Sequence, residues 1–160
     1  ETMVGNGDRA FEYYSQINPA CKNGCIDEYQ CEPYCYPQNI LGDEHPQFGL
    51  ARNSWLSGTA SWVYQAAVKY ILGVRPHYKG ITIDPCIPRA WKEFKIRKHF
   101  RGSIYDIRVR NPEGVSKGIR AIWVDGKELS GNVLPLFRDY RPHNIEVLMG
   151  RDLFVTEEDR

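Results

Sequence analysis

Two short stretches carry the side chains best suited to holding a polar ligand. Glu32-Pro33-Tyr34-Cys35-Tyr36-Pro37-Gln38 combines a carboxylate, two tyrosines and a primary amide. That set suits a sugar, because aromatic rings cover pyranose C–H faces while carboxylate and amide tips take its hydroxyls. A packed loop with buried tyrosines is the plain alternative. The second stretch, Arg52-Asn53-Ser54-Trp55-Leu56-Ser57-Gly58-Thr59, places hydroxyls, a glycine and backbone N–H groups in what its pattern marks as the first turn of a helix. The first N–H groups of a helix are unpaired and lie at the positive end of its dipole, so such a start holds anions. Ser57-Gly58 fits a phosphate cradle; an ordinary capped core helix, with Gly58 allowing close packing, is the alternative. The surroundings favour an anion. From His45 to Ile83 there are 39 residues without an Asp or Glu, although 20 acidic residues in 160 would place several there. Arg52, Lys69, Arg75 and Lys79 lie in the same span.

Other chemistry is less well served. Cys21-x3-Cys25 and Cys31-x3-Cys35 could be two zinc knuckles, but the five residues between the pairs are far fewer than zinc ribbons use, and no metal is expected. Small buried apolar cysteines are the better reading. With Cys86 the count is five, odd and not dense, which points to a reducing, cytoplasmic setting. The basic segment Phe94–Arg101 puts its charges on alternate positions, as a solvated strand face requires, and no aromatic platform accompanies it. A net charge of +1 adds no argument for nucleic acid, and no apolar run approaches the roughly 18 residues of a membrane span. There is no P-loop, dinucleotide fingerprint, Ser–His–Asp order or convincing carboxylate pair, so no cofactor is expected.

The elements that must position these residues are of two kinds, giving an α+β chain. Asp8 caps a helix through about Ile17, which Asn18-Pro19 stops. Residues 20–52 show no sustained period and read as a long functional loop. A second helix, capped by Asn53 or Ser54, carries the stripe Leu56, Ala60, Val63, Ala67 and Ile71 and ends at Gly73. After Pro76 the period becomes two, through Ile81–Ile83, Phe94–Phe100, Tyr105–Val109, Ile122–Val124 and Ile145–Met149, with a hairpin turn at Asp125-Gly126. A sandwich-like unit of antiparallel strands is expected over residues 76–150, followed by a polar tail at 151–160. The charge changes at the same place: residues 1–75 carry a net −3, residues 76–150 a net +6 and the last ten −2. The opening residues lack an initiator Met and read like the end of a helix already under way, so the chain reads as a piece of a longer protein.

The motifs together resemble a family. Cys31-Glu-Pro-Tyr-Cys-Tyr-Pro-Gln38, Pro46-Gln-Phe-Gly49, Arg52-Asn-Ser-Trp-Leu-Ser-Gly-Thr59, Tyr70-Ile-Leu-Gly-Val-Arg-Pro76 and Ile83-Asp-Pro-Cys-Ile-Pro88 are similar to the cellobiose phosphorylase type of inverting disaccharide phosphorylases. So are Phe100-Arg-Gly102, Val115-Ser-Lys-Gly118, Val124-Asp-Gly-Lys127 and Val133-Leu-Pro135, in order over about residues 1–150. The resemblance implies that residues 1–75 are the last helices of an (α/α)6 barrel with an active-site loop at 20–52, and that 76–150 are a C-terminal β-domain. It implies reversible phosphorolysis of a β-glucosyl disaccharide with inversion, giving α-glucose 1-phosphate. Phosphate attacks the anomeric carbon and one carboxylic acid protonates the leaving oxygen. It places phosphate on Gln38, Ser57 and Gly58, with Ser57 standing where the family has Thr, and the acceptor sugar near Glu32 and Tyr34. It puts the general acid and the remaining sugar contacts before Glu1, so that this chain alone would be inactive. The rest of the same enzyme and, for the intact protein, a second copy are the implied partners. A carbohydrate-binding β-module with a helical stalk and a zinc-stabilised interaction domain remain as alternatives.

Overall fold

In the computed structural model, which describes residues 1–151, the change of hydrophobic period near Pro76 coincides with a change from helix to strand. The residues form two compact units: Phe11–Ala67, and Glu1–Ala10 together with the chain from Val68 onward. The tail expected from residue 152 onward lies outside the described residues.

Helix α1 spans Gly7–Ile17. Its start is held by Asn6, whose Oδ1 accepts from the Arg9 N–H at 3.3 Å. Asp8 is therefore not the cap; it sits in the first turn and accepts from the Arg89 N–H at 3.0 Å. Asn18 ends α1 as expected: its extended backbone and its Oδ1, bonded to the Ala20 N–H at 3.1 Å, start a 3-10 turn over Pro19–Cys25. A short helix α2, Ile26–Tyr29, follows and is closed by Gln30 at φ +50°. A two-rung ladder then joins β1 (Asn39–Ile40) to β2 (Ala51–Arg52), pairing Asn39 with Arg52 and Ile40 with Ala51. The stretch expected as a loop thus holds several elements, each too short to leave a periodic signal. Its core is Tyr29, Cys31 and Cys35 packed with Ala51. Burial raises the Cys31 thiol above its ordinary pKa, as expected for an apolar cysteine. Cys21 and Cys25 are exposed.

Helix α3 spans Thr59–Gln65 and continues as a π-helix over Ala66–Ile71. It begins later than its sequence suggests. Gly58 is its N-cap, and Asn53 and Trp55 stand at φ +55° and +69°, values a right-handed helix does not accept. Of the expected stripe, Val63 and Ile71 are buried, whereas Leu56 lies before the helix and is exposed. Gly73 follows at φ +68°, the left-handed conformation that ends many helices.

In the second unit the described residues from Val74 form eight strands: β3 (Val74–His77), β4 (Gly80–Ile83), β5 (Glu93–Phe100), β6 (Ser103–Arg110), β7 (Ile119–Val124), β8 (Lys127–Leu129), β9 (Val133–Pro135) and β10 (Pro142–Met149). They make a five-stranded sheet, ordered β5-β6-β10-β7-β8, and a three-stranded sheet, β3-β4-β9. Most pairs are antiparallel, but β6 and β10 run parallel, with Ile107 opposite Ile145. Residues 111–141 separate them in sequence, as a parallel pair requires a long return connection. Alternate residues of both sheets are buried, among them Ile81, Ile83, Tyr105, Ile107, Ile122, Leu134, Ile145 and Val147. The Tyr105 hydroxyl donates to the Pro135 carbonyl at 2.9 Å, tying the larger sheet to the smaller. Asp125 and Gly126, at φ +49° and +79°, make the expected tight hairpin between β7 and β8. The basic face of β5 and its neighbours is matched by carboxylates: Arg97 pairs with Asp106, Arg108 with Glu93 and Arg110 with Glu146.

One ion cluster locks the end of the larger sheet. His143 lies flat on Phe137, with ring centroids 3.5 Å apart. Its Nδ1 is 2.7 Å from Asp125 Oδ2 and its Nε2 3.1 Å from both Asp139 oxygens. Asp139 also accepts from Ser103 Oγ at 2.9 Å and the Arg141 N–H at 3.1 Å. Burial works to lower the imidazole pKa, but the two carboxylates outweigh it and hold the ring above its ordinary range. Burial likewise works to raise Asp139, and the Arg141 N–H, His143 and Ser103 override it to bring the carboxyl down to about 2. The stabilisation from His143 is therefore complete below the unfolded imidazole pKa of roughly 6.5 and is lost as pH rises through the higher folded value. That from Asp139 is complete above the unfolded carboxyl value of roughly 3.9 and fades as pH falls toward the folded one. Thermal melts of His143→Gln should show a Tm about 4–8 °C lower at pH 6, the effect of roughly 1 kcal/mol in a domain of this size, and a shallower decline between pH 6 and 9. An unchanged pH profile would contradict this role.

Candidate functional site

Within the unit Phe11–Ala67, the β1–β2 ladder sets the two candidate stretches side by side. The Gln38 N–H donates to the Arg52 carbonyl at 3.0 Å, just beyond the two rungs of the ladder. Gln38 therefore stands beside Asn53, and the Asn53 Nδ2 donates to Gln38 Oε1 at 2.7 Å. Ser57 closes the group from the other end: its Oγ donates to the Tyr36 carbonyl at 3.2 Å and accepts from the Thr59 N–H at 3.3 Å. Between Gln38 and Thr59 lies a depression of about 290 Å³ walled by Tyr36, Pro37, Ile40 and Ile17. Its size is at the lower edge of what small-molecule sites use, roughly 300–1,000 Å³.

Each candidate offers a different kind of contact. Gln38 is exposed, and with its oxygen bonded to Asn53 its Nε2 is left as a donor. The single proton of Ser57 is engaged with Tyr36, so this hydroxyl joins the 36–38 segment to the start of α3. Gly58 has φ −77°, and a Cβ there would make only ordinary contact with Trp62, at 3.7 Å. Burial, then a hydrogen bond with Tyr14, pushes the Tyr36 phenol up to about 12, so it remains neutral.

Glu32 and Tyr34 form a second group, joined by a residue that the sequence alone does not single out. The Trp55 indole N–H donates to Glu32 Oε1 at 2.9 Å, and the Tyr34 and Trp55 rings meet edge to face with centroids 6.1 Å apart. Both rings are largely exposed, at 74% and 68%. Exposed indole and phenol faces beside a carboxylate are the chemistry a sugar ring uses. The Trp55 hydrogen bond, chiefly, holds the Glu32 carboxyl below its ordinary range. A general acid for glycosidic oxygen needs the opposite shift. Glu32 is thus suited to accepting sugar hydroxyls and unsuited to protonating a leaving group. Thr59, Asn53 and Trp55 lie in the second candidate stretch, but the sequence assigns none of them a contact of its own; the positive φ of Asn53 and Trp55 marks them only once the backbone is seen.

Among the described residues, no three His, Cys, Asp or Glu side chains gather as a metal-holding group. No helix among them is long and apolar enough to cross a membrane.

Comparison with known proteins bears on what this arrangement serves. Residues 1–73 match the catalytic domain of the glycosyl hydrolase 94 superfamily, and residues 74–117 match the C-terminal domain of glycosyl hydrolase family 65. The chain is 42% identical to an N,N'-diacetylchitobiose phosphorylase of Vibrio proteolyticus over 84% of its length, and 46% identical to one of Vibrio furnissii over 79%. It is 36% identical to a solabiose phosphorylase of Paenibacillus borealis over 93% of its length. The matched regions are 17%, 16% and 19% of those proteins, so the chain spans less than a fifth of the curated relatives it matches.

Proposed function

For a chain that belongs to the glycosyl hydrolase 94 superfamily through its catalytic-domain segment, residues 1–73, we propose a part in an inverting disaccharide phosphorylase. The segment supplies one wall of the phosphate site. The observation that carries this reading is the placement of Gln38, with its amide nitrogen left as a donor, across a depression from Thr59, while Ser57 is bonded to the nearby Tyr36 carbonyl. An anion needs donors that are fixed before it arrives, and no carboxylate lies among the walls of the depression to repel it. For the Ser57 hydroxyl to reach phosphate, it exchanges the Tyr36 carbonyl for a phosphate oxygen by rotating about χ1; the Gly58 N–H is the adjacent backbone donor.

In the reaction, phosphate is itself the nucleophile. A second carboxylate, which an inverting hydrolase needs to activate water, is then superfluous and would repel the anion. The leaving oxygen still needs a proton. Glu32, held ionised, is not suited to supply it, and the reading places the acid in the rest of the enzyme, with residues 1–75 as the last helices of an (α/α)6 barrel. Glu32, Tyr34 and Trp55 then receive the acceptor sugar. The donor is read as β-glucosyl, as in cellobiose. A second reading, N-acetylated β-linked disaccharides, is favoured by the 42% and 46% identity to diacetylchitobiose phosphorylases.

The test is phosphate dependence. The enzyme carrying this segment is given cellobiose, solabiose and N,N'-diacetylchitobiose with and without inorganic phosphate. Cleavage of at least one disaccharide only when phosphate is present is expected, as is no turnover by the purified 160 residues alone. Equal cleavage without phosphate would make the protein a hydrolase and contradict the proposal.

A further inference from the structure

We propose that Asn53 is a positioning residue for the phosphate site, acting through Gln38 by holding its side-chain amide in place at the depression; this rests on the phosphate-site reading above. A glutamine amide is nearly symmetric in shape but opposite in function at its two ends: the oxygen accepts and the nitrogen donates. Facing an anion, only the nitrogen end helps; the oxygen end repels. An exposed glutamine with free rotation would spend much of its time turned away from the depression, so a bond that holds it is useful.

The structure supplies that bond. Asn39 pairs with Arg52 and the Gln38 N–H bonds to the Arg52 carbonyl, so the end of the ladder brings Gln38 close to Asn53. Neighbouring side chains across such a pair are close enough to interact. The contact is a 2.7 Å hydrogen bond from Asn53 Nδ2 to Gln38 Oε1, linking residues 15 apart in sequence. It occupies the acceptor end of Gln38 and leaves Nε2 as its donor. Asn53 reaches this place with φ +55°, a conformation that asparagine tolerates better than nearly any other non-glycine residue. A serine or alanine cap at a helix start would need neither that backbone conformation nor an amide. The choice of residue type is therefore explained by the bond to Gln38 and not by capping, since α3 begins only at Thr59.

The experiment is a double-mutant cycle in the intact enzyme, using Asn53→Gly, Gln38→Ala and the double variant, with KM measured separately for phosphate and for the disaccharide. Asn53→Gly keeps the positive φ without strain and removes the amide. It should raise the phosphate KM roughly three- to tenfold, the worth of one hydrogen bond, with the disaccharide KM changed less than twofold. In the Gln38→Ala background the same substitution should have almost no further effect, because the residue through which it acts is gone. Should Asn53→Gly fold poorly, Asn53→Asp tolerates the same backbone and lacks the donor; its carboxylate repels phosphate in both backgrounds and also accepts from Gln38 Nε2, so for this variant the rise in phosphate KM should be larger with Gln38 present than in the Gln38→Ala background. A full, additive effect of the Asn53 change in the Gln38→Ala background, or equal rises in both KM values, would overturn the proposal while leaving Gln38 at the phosphate. If Gln38→Ala itself leaves the phosphate KM unchanged, the phosphate-site reading fails and this one with it.

Discussion

Replacing Gln38 by alanine should raise the phosphate KM of the intact enzyme about 10- to 100-fold while leaving the disaccharide KM within about twofold. The size follows from what is removed. A hydrogen bond to a charged partner contributes about 1.5–3 kcal/mol, and about 1.4 kcal/mol is a factor of ten. Gln38 is well placed to make such a bond. Its backbone is held by the Arg52 carbonyl and its side-chain oxygen by Asn53, so little side-chain freedom remains to be lost on binding. The split between substrates is the informative part. A general loosening of the 36–40 segment would weaken phosphate and sugar together, because Tyr34 and Glu32 lie on the same stretch. Initial rates over a matrix of phosphate and disaccharide concentrations separate the two. An unchanged phosphate KM would remove Gln38 from the site.

The second large effect is on stability. Gly73→Ala should cost about 3 kcal/mol or more and lower the Tm by 10 °C or more, while Gly24→Ala should have little effect. Gly73 stands at φ +68°, which costs a residue with a side chain roughly 1–2 kcal/mol. A Cβ there would also lie 2.1 Å from the carbonyl carbon and oxygen of Asp84, both backbone atoms. They cannot step aside, because the Asp84 N–H donates to the Gly73 carbonyl at 2.8 Å and Val74 pairs with Ile83 in the β3–β4 hairpin. Gly24 has nothing within 4 Å of its would-be Cβ and serves as the control. Thermal melts of the two variants, read side by side, make the comparison; equal Tm values would contradict it.

How much of this was legible in the sequence depends on the range over which each feature is determined. The end of α1 at Asn18-Pro19, the left-handed Gly73 and the Asp125-Gly126 hairpin are local, and residue type alone marks them. The strands after Pro76 were legible because alternate residues meet opposite environments. The parallel pairing of β6 with β10 was not, since strand order depends on contacts between residues far apart in sequence. The start of α3 was misplaced for a related reason. Asn53 and Ser54 are good caps by type, but the bonds from Asn53 to Gln38 and from Trp55 to Glu32 draw these residues into a turn instead. The short elements between residues 19 and 52 leave no periodic trace at all. Gln38, Ser57 and Gly58 were singled out by motif, whereas Thr59, Asn53 and Trp55 became candidates only through contacts across space.

These residues are proposed to serve an enzyme that transfers a glycosyl unit to phosphate and not to water. Phosphorus NMR during turnover of a disaccharide by the intact enzyme tests it most directly. Loss of the inorganic phosphate signal, matched by growth of an α-linked sugar 1-phosphate signal, is expected. Disappearance of the disaccharide with the phosphate signal unchanged and free reducing sugar accumulating would contradict it.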